Sequence, residues 1–283
     1  IKMEGYPAPG EPAKVTLLST GTGTKRALRY SIPADFKAHL EMTMAVEMAI
    51  NALGQNMAVP ATPVKLGADV AVTKIEGDNI TFSLPFTGVT WEGDTTSPVA
   101  TALQAGAAAI TSVKGVTTVD TRGVYKSSSL DVPDAALKAM LSQTGSSVEN
   151  LSSPFPEEAV GLGARWEVRI AVANEASTQF QSAIYEVTAI DGPNVTLKVT
   201  TTTTAPPQSV NNPMIAAAGG EMRLDSLTGS GTGTVAVRLD SLVPTSTIEQ
   251  TMSAAMTITI QGQMVPAKMD GKIKLTVTSA KRP

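Results

Sequence analysis

Apolar and polar residues alternate one for one over long stretches of this chain. That period of two marks strands with one buried face, because successive side chains of a strand point to opposite sides. The longest run puts Leu40, Met42, Met44, Val46, Met48 and Ile50 on one face and Glu41, Thr43, Ala45, Glu47, Ala49 and Asn51 on the other. A second Met-bearing run has Met252, Ala254, Met256, Ile258 and Ile260 alternating with Ser253, Ala255, Thr257, Thr259 and Gln261. Shorter runs predict further strands at Leu28/Tyr30/Ile32, Ile80/Phe82/Leu84/Phe86, Trp166/Val168/Ile170/Val172, Val195/Leu197/Val199, Val235/Val237/Leu239 and Ile273/Leu275/Val277. Glu76-Gly77-Asp78-Asn79 and Asp191-Gly192-Pro193-Asn194 each join two apolar runs closely, as hairpins require.

These two hairpins resemble one another. Val72 to Thr81 lies over Val187 to Thr196, and Gly115 to Gly123 over Gly231 to Leu239 in the same order and at nearly the same spacing. Ala27 to Ile32 answers the strand from Ala164. The pattern predicts an internal duplication, with an extended segment over 1–24, a first β-rich unit over 25–150 and a second over 151–283, the two forming one body. Two helices interrupt the strands. One has Ser97 as N-cap and Pro98 at its first position, followed by Val99, Ala102, Leu103, Gly106, Ile110 and Val113 on one face. The other begins near Val132-Pro133-Asp134 and carries Leu137, Met140 and Leu141, and Pro213 to Ala218 is a shortened counterpart of the first. The expected fold class is therefore mainly β with an α+β character: a large curved antiparallel sheet or half-barrel with a few helices covering one face.

Composition narrows the function. The 283 residues are 42% hydrophobic and 17% charged, enough apolar material for a core. A formal charge of −3, scattered along the chain, offers no field for phosphates and argues against a nucleic-acid partner. With no cysteine, disulfide, thiolate and zinc-thiolate chemistry are excluded. No run reaches the ~18 to 20 apolar residues of a membrane-spanning helix. Abundant threonine, including Thr200 to Thr204, few aromatic residues and no cysteine point to an exported protein.

The single histidine, His39, precedes the first Met-rich run and reads as a turn or strand-edge residue. No serine sits in a G-x-S-x-G elbow, and no pair of carboxylates is singled out for glycoside chemistry. The glycine stretches Gly21 to Lys25 and Gly229 to Thr234 are each followed by a strand pattern rather than a helix, so they read as hairpin connections and not phosphate loops. No cofactor or metal is expected, and the expected protein is not an enzyme. Two readings of the methionines stand side by side: a sheet core, or an adaptable apolar cavity for a flexible ligand. The second makes Met42, Met44, Met48, Met252, Met256 and Ile258, with Leu103 and Ile110 of the first helix, the candidate ligand-binding residues.

The segment SSPFPEEAVGLGARWEV from Ser152 to Val168, following TVDTRGVY, resembles a family of uncharacterised bacterial secreted lipoproteins of myxobacterial type. Pro12 to Ile32 and the stretches TAPPQ and LTGSGTGTVAVRLDSLVP fit the same pattern, so the resemblance covers most of the chain. It implies a periplasmic or outer-membrane-anchored lipoprotein whose modified cysteine would precede Ile1, and it carries no catalytic assignment. In layout the chain is similar to the LolA and LppX type of lipid or lipoprotein carrier, which implies a hydrophobic ligand such as a lipid. The other expectation is a structural or assembly module of the cell envelope that binds another protein.

Overall fold

A computed structural model describes residues 1–52, 55–59, 63–91, 111, 113–131, 153–173, 177–211, 215–216, 219–260 and 262–281. Sixteen strands account for most of them. In chain order they are β1 (Lys14–Ser19), β2 (Thr22–Arg26), β3 (Lys37–Ala52), β4 (Gln55–Val59), β5 (Val64–Glu76), β6 (Asn79–Trp91), β7 (Lys114–Asp120), β8 (Tyr125–Asp131), β9 (Val160–Leu162), β10 (Arg165–Ala173), β11 (Thr178–Asp191), β12 (Asn194–Ala205), β13 (Gln208–Val210), β14 (Gly220–Arg238), β15 (Thr245–Ile260) and β16 (Gln263–Lys281).

Fourteen of these strands form one antiparallel sheet in the order β1-β10-β11-β12-β14-β15-β16-β3-β5-β6-β7-β8, with β13 added to β14 and β4 to β3. Two up-and-down meanders, β10 to β16 and β3 to β8, are thus joined by the pairing of β16 with β3. The two remaining strands, β2 and β9, pair with each other.

The α+β expectation is corrected: the described residues are almost entirely β, and no helix covers a face of the sheet among them. The helices expected from Ser97 to Val113 and from Val132 to Gly145, with Leu103 and Ile110, lie outside the described residues but for Thr111 and Val113, and so does most of Pro213 to Ala218. Helical spacing in a small-residue run is a weak signal, because alanine-rich sequence carries little side-chain information about which face is buried.

One hydrophobic cluster shows how the sheet curls. It unites Leu40, Val70, Ile80, Phe82 and Val119 of the β3–β7 side with Trp166, Val187, Leu197, Val235 and Val237 of the β10–β14 side. Strands so distant in the sheet order meet only if the sheet bends round and turns its apolar face inward. The end of this core is sealed by residues 27–36 and 153–159. Tyr30 N–H donates to Thr121 O in the β7–β8 turn and Ser31 N–H to Leu239 O after β14, both at 2.7 Å. Leu28, Tyr30 and Ile32 are buried alternately, but they belong to no ladder. The strand expected there is instead an extended crossing between two turns, and its correspondence with the strand from Ala164 fails.

Phe155, Trp166, Tyr185 and Tyr30 form the aromatic centre. Trp166 stacks on Tyr185 at 5.7 Å, Phe155 lies 5.2 Å from Tyr30 and 6.1 Å from Trp166, and the Trp166 indole N–H donates to Pro154 O at 2.8 Å.

The two similar hairpins are also similar in geometry. Gly77 and Gly192 take φ of 55° and 53°, which a β-carbon would oppose. In each the register shifts at the same place, between Val72 and Lys74 and between Val187 and Ala189. The threonine inside each shift spans the hairpin, Thr73 to Thr81 O at 3.2 Å and Thr188 to Thr196 O at 3.1 Å. The next strands correspond less closely than the sequence suggests. Ile80 pairs with Val119, whereas Val195 pairs with Val237, two residues beyond the position that the match of Gly115 with Gly231 requires.

Candidate functional site: the apolar face of the long strands

β14, β15, β16 and β3 are the longest strands, at 19, 16, 19 and 16 residues. Their apolar faces begin in the core and continue well past it. Rising along the sheet, one row of partners runs Tyr185, Val199, Gly233, Ile248, Leu275 and Met44. The next runs Ala183, Thr201, Gly231, Gln250, Ile273 and Val46, and the next Gln181, Thr203, Gly229, Met252, Gly271 and Met48. Above these, Ala205, Leu224, Leu227 and Ala254 make a second, smaller buried cluster, on which Met252, Met256 and Met269 pack.

The candidate residues therefore share one face but not one environment. Met42 is packed against the main core, Met48 and Ile258 are half-buried, Met252 and Met256 are half-buried on the second cluster, and Met44 is 39% exposed. Leu103 and Ile110 lie outside the described residues.

Between the two clusters the face changes character. Gln250 donates from Nε2 to Thr203 Oγ1 at 3.0 Å, reaching over β14 to a strand two places away. It can do so because β14 presents Gly229, Gly231 and Gly233 there. A β-carbon on Gly231 would stand 2.7 Å from Thr201 Oγ1 and 3.1 Å from Gln250 Cβ, and one on Gly233 only 2.8 Å from Ile248 Cγ1. Neighbours lean over the glycines from both sides, so the strand forms a crease in the sheet. The reading of Gly229 to Thr234 as a hairpin connection is corrected: these residues are the middle of β14. The signal that reveals this is glycine at every second position, in phase with Leu227, Val235 and Val237.

The opposite face is polar. Three hollows of about 470, 560 and 740 Å³ lie on it; the first shares Glu47 and Ser230 with the second and Ala49, Thr228, Ser253 and Asp270 with the third, so that they form one open trough across β14, β15, β16 and β3. Its floor is largely Thr and Ser hydroxyls. Its walls are charged, with Glu249 and Lys274 paired at 2.9 Å and Lys268 and Asp270 at 3.1 Å. Nothing in the Met-rich pattern points to this trough, although its residues are the polar half of the same alternation. His39 lies within β3 rather than at a turn, and its Nδ1 is 2.8 Å from Asp69 Oδ1 on β5.

Neither a protein-family model nor a curated protein matches the chain. Among solved structures, an outer membrane channel from Pseudomonas putida F1 aligns at 9% identity over 90% of this chain and 100% of its own, with a TM-score of 0.25. A porin mutant of Rh. blastica aligns at 8% identity over 84% of this chain and 99% of its own, with a TM-score of 0.23. Likenesses this slight carry neither fold nor function to this chain; what it shares with both is a broad similarity only.

Proposed function

We propose that this is a non-catalytic envelope protein that holds an acyl chain or a similar hydrophobic ligand along the Met-rich face of β14, β15, β16 and β3. One observation carries the reading: the apolar face extends beyond the closed core, and Met44, Met48, Met252 and Met256 are left half-buried or exposed along it. A fully satisfied core face would not leave Met44 more than a third exposed. From Ile248 to Ile258 the face runs roughly 33 Å at about 3.3 Å per residue, longer than an extended acyl chain. Thioether side chains adjust to a flexible occupant at little cost. Envelope location, and a lipid anchor attached ahead of Ile1, belong to the same proposal and rest on the Thr-rich, Cys-free composition and the lipoprotein resemblance. Descent of the two halves from one duplicated unit belongs to it too, supported by the matching Thr73 and Thr188 hairpins.

Native mass spectrometry of protein purified without detergent, with titration of a fluorescent fatty acid, tests the reading. Bound lipid and micromolar affinity are expected, and Met44→Glu should weaken binding at least tenfold with Tm unchanged, because that side chain already reaches solvent. Absence of copurified lipid together with absence of fatty-acid binding at micromolar concentration would overturn it.

The polar trough favours a second reading, an assembly module that binds another envelope protein. Charge reversal at Glu249 and Lys274 together should then abolish capture of that partner and leave lipid binding intact.

A further inference from the structure

Between its two clusters the Met-rich face is interrupted by hydrogen-bonding groups. Thr201, Thr203 and Gln250 converge over the glycines of β14, midway between the main core and the second cluster. The Gln250 amide donates one N–H to the Thr203 hydroxyl. The Thr201 Oγ1 is buried and has no hydrogen-bond partner among the described residues. It overhangs Gly231, where any side chain would strike it. A buried hydroxyl without a partner is costly, and valine would fill the same space without that cost.

We infer that Thr201, Gln250 and Thr203 form the subsite for an uncharged, hydrogen-bonding head group, such as the ester and hydroxyls of an acylglycerol. This rests on the acyl-chain reading and adds to it the polarity and position of the head. The hydroxyl of Thr201 donates to a carbonyl or hydroxyl oxygen of the ligand, and the remaining N–H of the Gln250 amide supplies a second bond. The glycines at 229 and 231 let Thr201, Thr203 and Gln250 close over β14, which brings the three polar groups together. The chain then extends along the face toward Met252 and Met256. Every side chain on this face in these two rows, from β11 to β3, is uncharged. A phosphate would be desolvated there with no counter-ion, so the site selects against phosphate-bearing heads.

The test is competition for a bound fluorescent fatty acid by monooleoylglycerol and by octadecene, with native mass spectrometry as a direct readout of uptake. Wild-type protein is expected to prefer monooleoylglycerol at least tenfold. In Thr201→Val and in Gln250→Met that preference should fall to threefold or less, with octadecene affinity retained and the Tm of Thr201→Val equal to or above wild type. Equal affinities in the wild type, or an undiminished preference in both variants, would overturn the subsite while leaving the acyl-chain reading in place. Uptake of neither compound by the wild type overturns both.

Discussion

Met48 and Met252 flank Gly271, each as its direct cross-strand partner, so the two Met-bearing strands of the sequence are held one strand apart with a glycine between them. That gap is open. A β-carbon on Gly271 would meet Glu47 O at 3.6 Å and Met48 Cγ at 3.9 Å, ordinary van der Waals distances. On Gly233, by contrast, it would meet Thr247 O at a clashing separation.

Glycine to alanine should therefore have opposite effects at these two positions. Gly271→Ala should raise stability by roughly 0.5–1 kcal/mol, since glycine inside a strand is less favourable than alanine by about that amount. Gly233→Ala should lower it by roughly 1–3 kcal/mol, because backbone has to move. Urea unfolding of the two variants measures the difference, and equal signs would remove the crease from the account.

Trp166 is fully buried and is both a packing element and a tether. Trp166→Ala should cost roughly 3–5 kcal/mol. Trp166→Phe keeps much of the ring volume but leaves Pro154 O without its donor, for roughly 1–3 kcal/mol. Proteolysis near residues 153–159 should quicken in the second variant more than its global stability predicts, because that segment loses its hold on the core.

Tyr30 and Tyr185 should make the protein sensitive to alkali. Burial raises both phenols well above the ordinary value of 10, Tyr185 to about 12, against the smaller lowering effects of the Ser153 backbone on Tyr30 and its side chain on Tyr185. A group whose folded pKa is raised contributes stability that is complete below its unfolded pKa and is lost as pH rises through the folded one. Tm should accordingly hold to about pH 10 and fall between about 10 and 12. Tyr30→Phe should shrink that fall while costing roughly 0.5–1.5 kcal/mol at neutral pH.

Glu167 should make it sensitive to acid. Burial on its own would raise the carboxyl, but hydrogen bonds from Arg169 and Ser182, with the charges of Arg169 and Lys14, outweigh this and hold it below the usual 4.5. Its contribution is complete above that value and is lost as pH falls through the depressed folded one. Arg169 in turn bonds Gly5 O and lies 5.4 Å from the Tyr6 ring, which packs edge-on against the buried Phe180. Glu167→Gln should lose roughly 1–3 kcal/mol at pH 7, a difference that shrinks as pH falls below about 4 and is readable as Tm against pH.

Sequence showed most where alternation was long. β3 and β15 were visible because their period of two persists over many residues, and the hairpins at Gly77 and Gly192 because a left-handed turn all but demands glycine. Three kinds of feature stayed hidden. Leu28, Tyr30 and Ile32 alternate because the segment is extended and half-buried, a condition that needs no partner strand. Gly229, Gly231 and Gly233 read as a turn because glycine is ambiguous between flexibility and close approach, and only Thr201, Gln250 and Ile248 leaning over them decide which. The offset of two residues between the Val119 and Val237 pairings is invisible because a shift by two keeps every side chain on its own face.

The pairing of β16 with β3 also fixes when this molecule can become itself. Its partners lie far apart in sequence, so a nascent polypeptide must keep the β16-facing edge of β3 unsatisfied until β16 has been made, then close a very large loop to join the two halves of the sheet. Folding should be slow and vulnerable to strand-edge association during that interval. A sheet whose two halves meet only once β16 is made stays open to association until that pairing forms.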